Sequence, residues 1–302
     1  MRVPSRAVNA LQLADEWEVE HFAVGVRSRA GDVDEVRGSV ERRFPWASIT
    51  KLVTALAVLV AFEEGTVDLD EPAGPPGSTV RHLLAHASGL GPDDPIRPMA
   101  TPGARRIYSN AGFEVLGTHL RARSGMSFDE YARAGVLEPI GMAGARTAGS
   151  PATGASGTLA DLLALGAELL APTIIDPSTL AAATTVCYPG LVGVLPGFGR
   201  QDPCDWGLGF ELRDHKAPHW TGWTNSPETF GHFGQSGSFL WVDPVAGLAC
   251  AGLADRPFDS WAAHAWPRLA DAVLAEHVGR GRHLAGGGPP RAAPAPVRPV
   301  PG

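Results

Sequence analysis

Lysine is nearly missing from this 302-residue chain. Of its 25 basic residues only Lys51 and Lys216 are lysine, and the rest are arginine. Arginine keeps its charge everywhere, whereas a desolvated lysine can lose a proton. A lysine inside an apolar run, as Lys51 is, therefore becomes a candidate for proton chemistry. Cysteine is scarce too. Cys187, Cys204 and Cys250 are odd in number and lack paired spacing, which excludes a disulfide framework or a zinc site and leaves small buried or loop residues. No apolar run is long enough to cross a bilayer; the longest covers Leu52 to Phe62. The opening MRVPSRAVNALQLADEWEVE has no apolar core and does not read as a signal peptide, so a cytoplasmic protein without membrane partners is expected. Positive charge is not in excess: the formal net charge is -7, which argues against a nucleic-acid partner.

Several motifs are missing as well. No serine is flanked by glycines in the Gly-x-Ser-x-Gly pattern, which argues against an α/β-hydrolase. There is no phosphate-binding loop, and no dinucleotide fingerprint follows a strand. His82 and His86 are spaced like half of a zinc motif, but Leu83 stands where a glutamate would be needed. A role at a helix end suits His86 better. Asp68 and Asp70 lie in a polar loop and read as solvated. No metal and no cofactor are expected.

What is present is an ordinary globular composition, 44% hydrophobic and 19% charged. Residues 20–28 and 33–40 read as a strand hairpin across Ala30-Gly31-Asp32. The run from Ile49 to Glu64 is apolar nearly all round and stops at Gly65, the pattern of a buried helix. Further helices are predicted over 79–87 with Ser78 as cap, 110–123, 128–136 behind a Ser127–Glu130 capping box, and 158–170 begun by Thr158. Segments 206–214, 230–243 and 247–255 read as three successive strands, the last two joined at Asp243-Pro244. A helix over 259–278 closes the chain despite Pro267. The Gly- and Pro-rich residues 285–302 read as a disordered tail in which the Pro296–Pro299 spacing is compositional. Residues 1–284 then form one α/β (α+β) domain. A sheet region from 15–47 and 205–282 encloses a helical insert over about 52–200.

Three stretches could carry chemistry. Ser48-Ile49-Thr50-Lys51 places an amine one helical turn from a hydroxyl. A serine is a weak nucleophile until its proton is taken, and burial favours a neutral lysine. Tyr108-Ser109-Asn110 opens a helix in a chain with three tyrosines. A nearby cation would favour the ionised tyrosine, and Asn110 offers an amide to a substrate. Gly231-His232-Phe233-Gly234-Gln235-Ser236-Gly237 reads as a strand edge whose glycines admit close approach. The backbone N–H groups of Gln235 and Ser48 could form an oxyanion hole. Trp206, Trp220 and Trp223 either line a pocket or pack under a loop. The glycine-rich loop 189–203 could flank a cleft.

In order and context these stretches resemble the serine β-lactamase and penicillin-binding protein family, especially its class C and esterase-like branch. The family pattern SxxK, YxN, KTG or HxG reads here as Ser48–Lys51, Tyr108–Asn110 and His232–Gly234. LLAHASGL (83–90) and YSNAGFEVLG (108–117) look like the family too. The resemblance covers roughly residues 20–280. It implies a β-lactamase/transpeptidase-like fold, an antiparallel sheet flanked by helices with an all-helical insert. It also implies a serine hydrolase in which Ser48 forms an acyl-enzyme while Lys51 and Tyr108 share proton transfer, with the choice of base left open. Asn110, His232, Gly234 and Gln235 would bind a small-molecule or short-peptide substrate. Where many members carry Lys-Thr-Gly, this chain has His232-Phe233-Gly234. Neither a permanent cation nor a hydroxyl is on offer, so ester or amide substrates are expected over efficient β-lactam turnover. Acyl transfer through the same intermediate, or a binding protein that keeps the fold without the activity, are the competing readings.

Overall fold

The computed structural model describes residues 9–285, with side-chain surroundings through residue 278. The 286–302 tail, with its Pro296–Pro299 spacing, lies outside the described residues. A six-stranded antiparallel sheet has the order β2-β1-β10-β9-β8-β7. Strands β1 (Phe22–Ser28) and β2 (Asp34–Gly38) come from the start of the chain. Strands β7 (Glu211–Leu212), β8 (Phe230–Gly234), β9 (Ser238–Asp243) and β10 (Leu248–Ala254) come from its end. The register β1–β10, Val24 opposite Gly252, joins the two halves.

Side chains alternate across a strand, and both faces of this sheet are covered. Ala23, Leu240, Val242, Ala249 and Ala251 face a core shared with the helical region. Val24, Val26, Phe239, Trp241 and Cys250 face a second core under the closing helix. That helix is α8 (Ser260–Ala285), with Pro267 inside it. A 3-10 turn at Ala10–Glu16 packs beside it. Helix α6 (Leu159–Leu170) lies on the other face, where a Cβ on Gly166 would come within 2.8 Å of Ala249.

Between the sheet halves run α1 (Thr50–Glu63), α2 (Val80–Leu84), α3 (Asn110–Ser124), α4 (Phe128–Ala132), the short α5 (Glu138–Ile140) and α7 (Pro177–Ala183). Two small two-stranded pieces interrupt them: β3 (Phe44–Pro45) with β4 (Ser156–Gly157), and β5 (Gly193–Leu195) with β6 (Gly199–Gln201). Helix α1 is buried from Thr50 through Ala61, as its sequence requires.

Some local expectations change. Thr79, not Ser78, caps α2, and the helix stops before His86, whose φ of 54° is left-handed. His82 and His86 therefore do not share a helix face. The expected strand over 230–243 is a hairpin, because Gly237 turns at φ 87° and the chain reverses over Gln235–Gly237. In 206–214 only Glu211 and Leu212 join the sheet, since Gly209 at φ 86° bends the segment toward α1. All three cysteines are free. Among the described residues no helix is long and apolar enough to cross a membrane.

Candidate active site

Ser48 lies in a short 3-10 turn, Ala47–Ile49, that leads directly into α1. The turn is held from several sides. Trp46 donates its N–H to Ala155 O, and Thr50 Oγ1 donates to Ala47 O at 2.6 Å. Ser238 Oγ donates to Trp46 O at 2.9 Å. Ala47 takes φ 45°, a strained conformation for an alanine. Strand β8 comes so near that a Cβ on Gly234 would stand 2.2 Å from Trp46 O. Gly234 thus lets the strand meet the backbone before Ser48. It is not part of the cleft wall itself.

The i, i+3 spacing does what helix geometry predicts. Lys51 Nζ donates to Ser48 Oγ at 3.1 Å, to Asn110 Oδ1 at 2.7 Å and to Ala152 O at 3.0 Å. Lys51 is fully buried, with the Tyr108 and Phe113 rings 4.9 and 5.5 Å from its nitrogen. Burial pushes its pKa down to about 7, against the opposing pull of Glu114 and Asp93. Near neutrality both forms are present. A neutral amine has two N–H groups and a lone pair. The two carbonyl oxygens, from Asn110 and Ala152, can only accept. In the neutral form they take both protons and leave the lone pair facing the Ser48 hydroxyl.

Tyr108 reaches the same oxygen from the other side, donating to Ser48 Oγ at 2.7 Å. The shift of this phenol runs opposite to the cation-assisted ionisation expected from sequence. Burial pushes this phenol well above its usual range, outweighing the Ser48 hydrogen bond, and holds it protonated. Its ring packs on His86 at 4.7 Å, with Trp206 and His232 at 5.8 Å each. His86 was not singled out from sequence as part of the site. Its Nδ1 accepts the Ser109 N–H at 3.1 Å and so anchors the Tyr108–Asn110 segment. Ser109 in turn caps α3 through Gly112 N–H.

His232 is buried on β8, and its Nδ1 lies 2.7 Å from Phe233 O. That contact requires the proton on Nδ1, so Nε2 is an acceptor; among the described residues it has no partner. Burial, then the Lys51 charge, pushes its pKa down to about 3. The residue offers no cation at neutral pH. Phe233 belongs to an aromatic cluster with Phe198, Trp220, Phe258 and Trp266. Gln235 ties its side chain to Phe258 O at 2.9 Å.

These groups border one cleft of about 240 Å³, lined by Ser48, Tyr108, Asn110, Trp206, His232 and Gln235, with Leu195, Pro196 and Phe233 as apolar walls. The 189–203 loop thus reaches the cleft through Leu195 and Pro196. Of the three tryptophans, Trp206 lines it, Trp220 is core, and Trp223 is exposed. Glu211, also unforeseen, lies on the wall. Its Oε1 pairs with Lys216, and its Oε2 accepts from His219 at 2.8 Å and Trp220 at 2.9 Å.

Comparison with known proteins shows what the chain as a whole is similar to. A solved β-lactamase from Mycobacterium bovis is 51% identical and superposes with a TM-score of 0.87, over 89% of this chain and 99% of that one. Penicillin-binding protein 4* of Bacillus subtilis (strain 168) is 27% identical over 33% of this chain and 29% of its own length. The D-alanyl-D-alanine-carboxypeptidase/endopeptidase AmpH of Escherichia coli (strain K12) is 26% identical over 36% of this chain and 38% of its own. The matched part is thus about a third of the length of these curated relatives. The family model described as Beta-lactamase matches residues 13–275, nearly the whole described chain, and the protein therefore belongs to the beta-lactamase family of serine hydrolases.

Proposed function

We propose that the protein hydrolyses esters or amides of uncharged acyl groups through an acyl-enzyme on Ser48. The observation that carries this reading is one serine oxygen within hydrogen-bond reach of two groups tuned in opposite directions. Lys51 is poised to lose a proton and Tyr108 to keep one. Such a split is how a site assigns base and acid. Neutral Lys51 takes the Ser48 proton as Oγ attacks the carbonyl. Tyr108 gives its proton to the leaving group and is recharged from the lysine side. The Ser48 and Gln235 N–H groups bind the oxyanion, each contributing a few kcal/mol in such sites. Asn110 orients the substrate, and water then releases the acyl group.

The substrate preference rests on charge and wall chemistry. The cleft has apolar walls at Leu195, Pro196 and Phe233, and its histidine is neutral. Lys216 is spent on Glu211 and two backbone carbonyls, so it does not reach out to a substrate carboxylate. Short-chain esters fit this environment better than penicillins or peptides ending in a free carboxylate. Acyl transfer to an alcohol or amine through the same intermediate is the second reading, favoured by the apolar walls that Leu195, Pro196 and Phe233 offer beside Ser48.

A panel of p-nitrophenyl esters, D-alanyl peptides and nitrocefin, run on wild type and Ser48→Ala, tests the proposal. Ester turnover lost in the variant is expected. Penicillin-type turnover near the diffusional range would overturn the substrate preference. Turnover that survives in Ser48→Ala would overturn the mechanism.

A further inference from the structure

The loop over residues 91–99 is the exposed rim nearest Asn110. Its base is fixed: Ser109 Oγ donates to Gly91 O at 2.6 Å, Ala111 N–H to Pro92 O at 3.0 Å, and Met99 N–H to Gly89 O at 2.7 Å. From this base Asp93 Oδ1 accepts a hydrogen bond from Asn110 Nδ2 at 2.9 Å. On the other side of the same amide, Asn110 Oδ1 accepts from Lys51. Lys51 gives an N–H to this contact in either protonation state, its lone pair when neutral being turned to Ser48, so the contact demands the amide oxygen inward and the NH₂ outward. A carboxylate outside accepts that NH₂ and would repel the amide oxygen if the group flipped. The Asn110 amide is clamped between a buried amine and an exposed acid.

We propose that Asp93 is a positioning residue for the reaction: it locks the Asn110 amide so that the oxygen stays on Lys51 and the second N–H stays available to the substrate in the cleft. The inference rests on the Ser48 hydrolase reading. An amide free to flip would put its NH₂ against Lys51. The lysine would then lose an acceptor, and the cleft would lose a donor. Asp93 has a second, electrostatic influence, since its charge favours protonated Lys51. The groups facing Lys51 are Glu114 from α3, Asp93 from the rim loop, His232 from β8, His86 from beyond α2, and the phenol of Tyr108. Both histidines are neutral, so Glu114 and Asp93 supply the acidic influence.

Two variants separate the functions of Asp93. Asp93→Ala removes both clamp and charge. Asp93→Asn keeps an acceptor and removes only the charge. With a p-nitrophenyl ester, Asp93→Ala should lower kcat/KM about fivefold to twentyfold, with KM rising. Asp93→Asn should restore most of that loss. Its acid limb should lie at lower pH than wild type, about two- to threefold faster at pH 6, and the difference should shrink in 1 M salt, where charges are screened within roughly 3 Å. Unchanged kinetics in Asp93→Ala would overturn the proposal. So would equal loss in both variants accompanied by a lower melting temperature, which would make Asp93 a brace for the loop. Fluorophosphonate labelling of wild type is the control. Its absence sinks the hydrolase reading itself, whereas normal labelling with indifferent Asp93 variants sinks only this inference.

Discussion

The chain's two lysines are both buried, yet their surroundings make them different chemical objects. Lys216 sits between Glu211 and the carbonyls of Asp205 and Leu212. Its charge has a carboxylate partner, and that carboxylate is held down to about pKa 2: burial would raise it, but His219 and Lys216 more than offset burial. Lys51 has no carboxylate within hydrogen-bond reach. It meets two carbonyls and a serine hydroxyl, and burial wins. Burial alone therefore does not mark a reactive lysine. What marks it is burial together with neutral acceptors and a hydroxyl.

The largest expected effects come from removing the reactive pair. Ser48→Ala should abolish fluorophosphonate labelling and lower ester turnover by about 10⁴-fold or more. Lys51→Arg should be nearly as damaging, because arginine cannot take a proton. Circular dichroism should show both variants folded. Near-normal turnover in Lys51→Arg would make Lys51 structural and erase the contrast with Lys216.

The second lysine should answer in stability instead. Breaking a buried ion pair by removing one partner costs roughly 3–5 kcal/mol, because the other charge stays buried. Glu211→Ala and Lys216→Met should each lose about that much in urea unfolding. A loss below about 1 kcal/mol in both would show that the network is not holding β7 in place.

Tyr108→Phe follows. It keeps the ring packed against His86 and Trp206 and removes only the hydroxyl. A rate loss of about 10²- to 10³-fold is expected, with little change in melting temperature, in the usual range for a positioned proton donor. An unfolded variant would assign the phenol to packing.

Much of this was legible from sequence where short-range rules apply. The i, i+3 placement of Ser48 and Lys51, the Ser127–Glu130 and Thr158 caps and the all-apolar α1 depend on neighbours along the chain, and the structure has them. The convergence of Tyr108 and β8 on Ser48 came from resemblance, since contacts 60 residues apart have no local signature. What escaped notice has a common cause. Asp93 is one acid in a polar loop of a chain with 32, and nothing nearby in sequence marks its contact with Asn110. Glu211 hides in an apolar segment whose partners, Lys216 and His219, are reached only by a turn. The sign of the Tyr108 shift was missed because burial is a property of the assembled site, where it outweighs the Ser48 hydrogen bond.

The pH profile sets the two lysine environments against each other at the smallest scale. If neutral Lys51 is the base, kcat/KM for an ester should fall about tenfold per pH unit below an apparent pKa near 7. Stability should move in the same direction. The unfolded chain carries this lysine protonated up to about pH 10.5 while the folded one has released the proton above about 7, so folding gains stability as pH rises between those values. Glu211 acts in the acid range. Its depressed folded pKa contributes stability that is fully present above 4.5 and is lost as pH falls toward 2. A protein weakened by acid unfolding alone would lose activity and secondary structure together. The lysine mechanism requires activity to decline between pH 7 and 5 while circular dichroism stays constant, because the Glu211 pair is still charged there. A flat kcat/KM across that interval, with the protein folded throughout, would take the base role from Lys51 and leave both lysines structural.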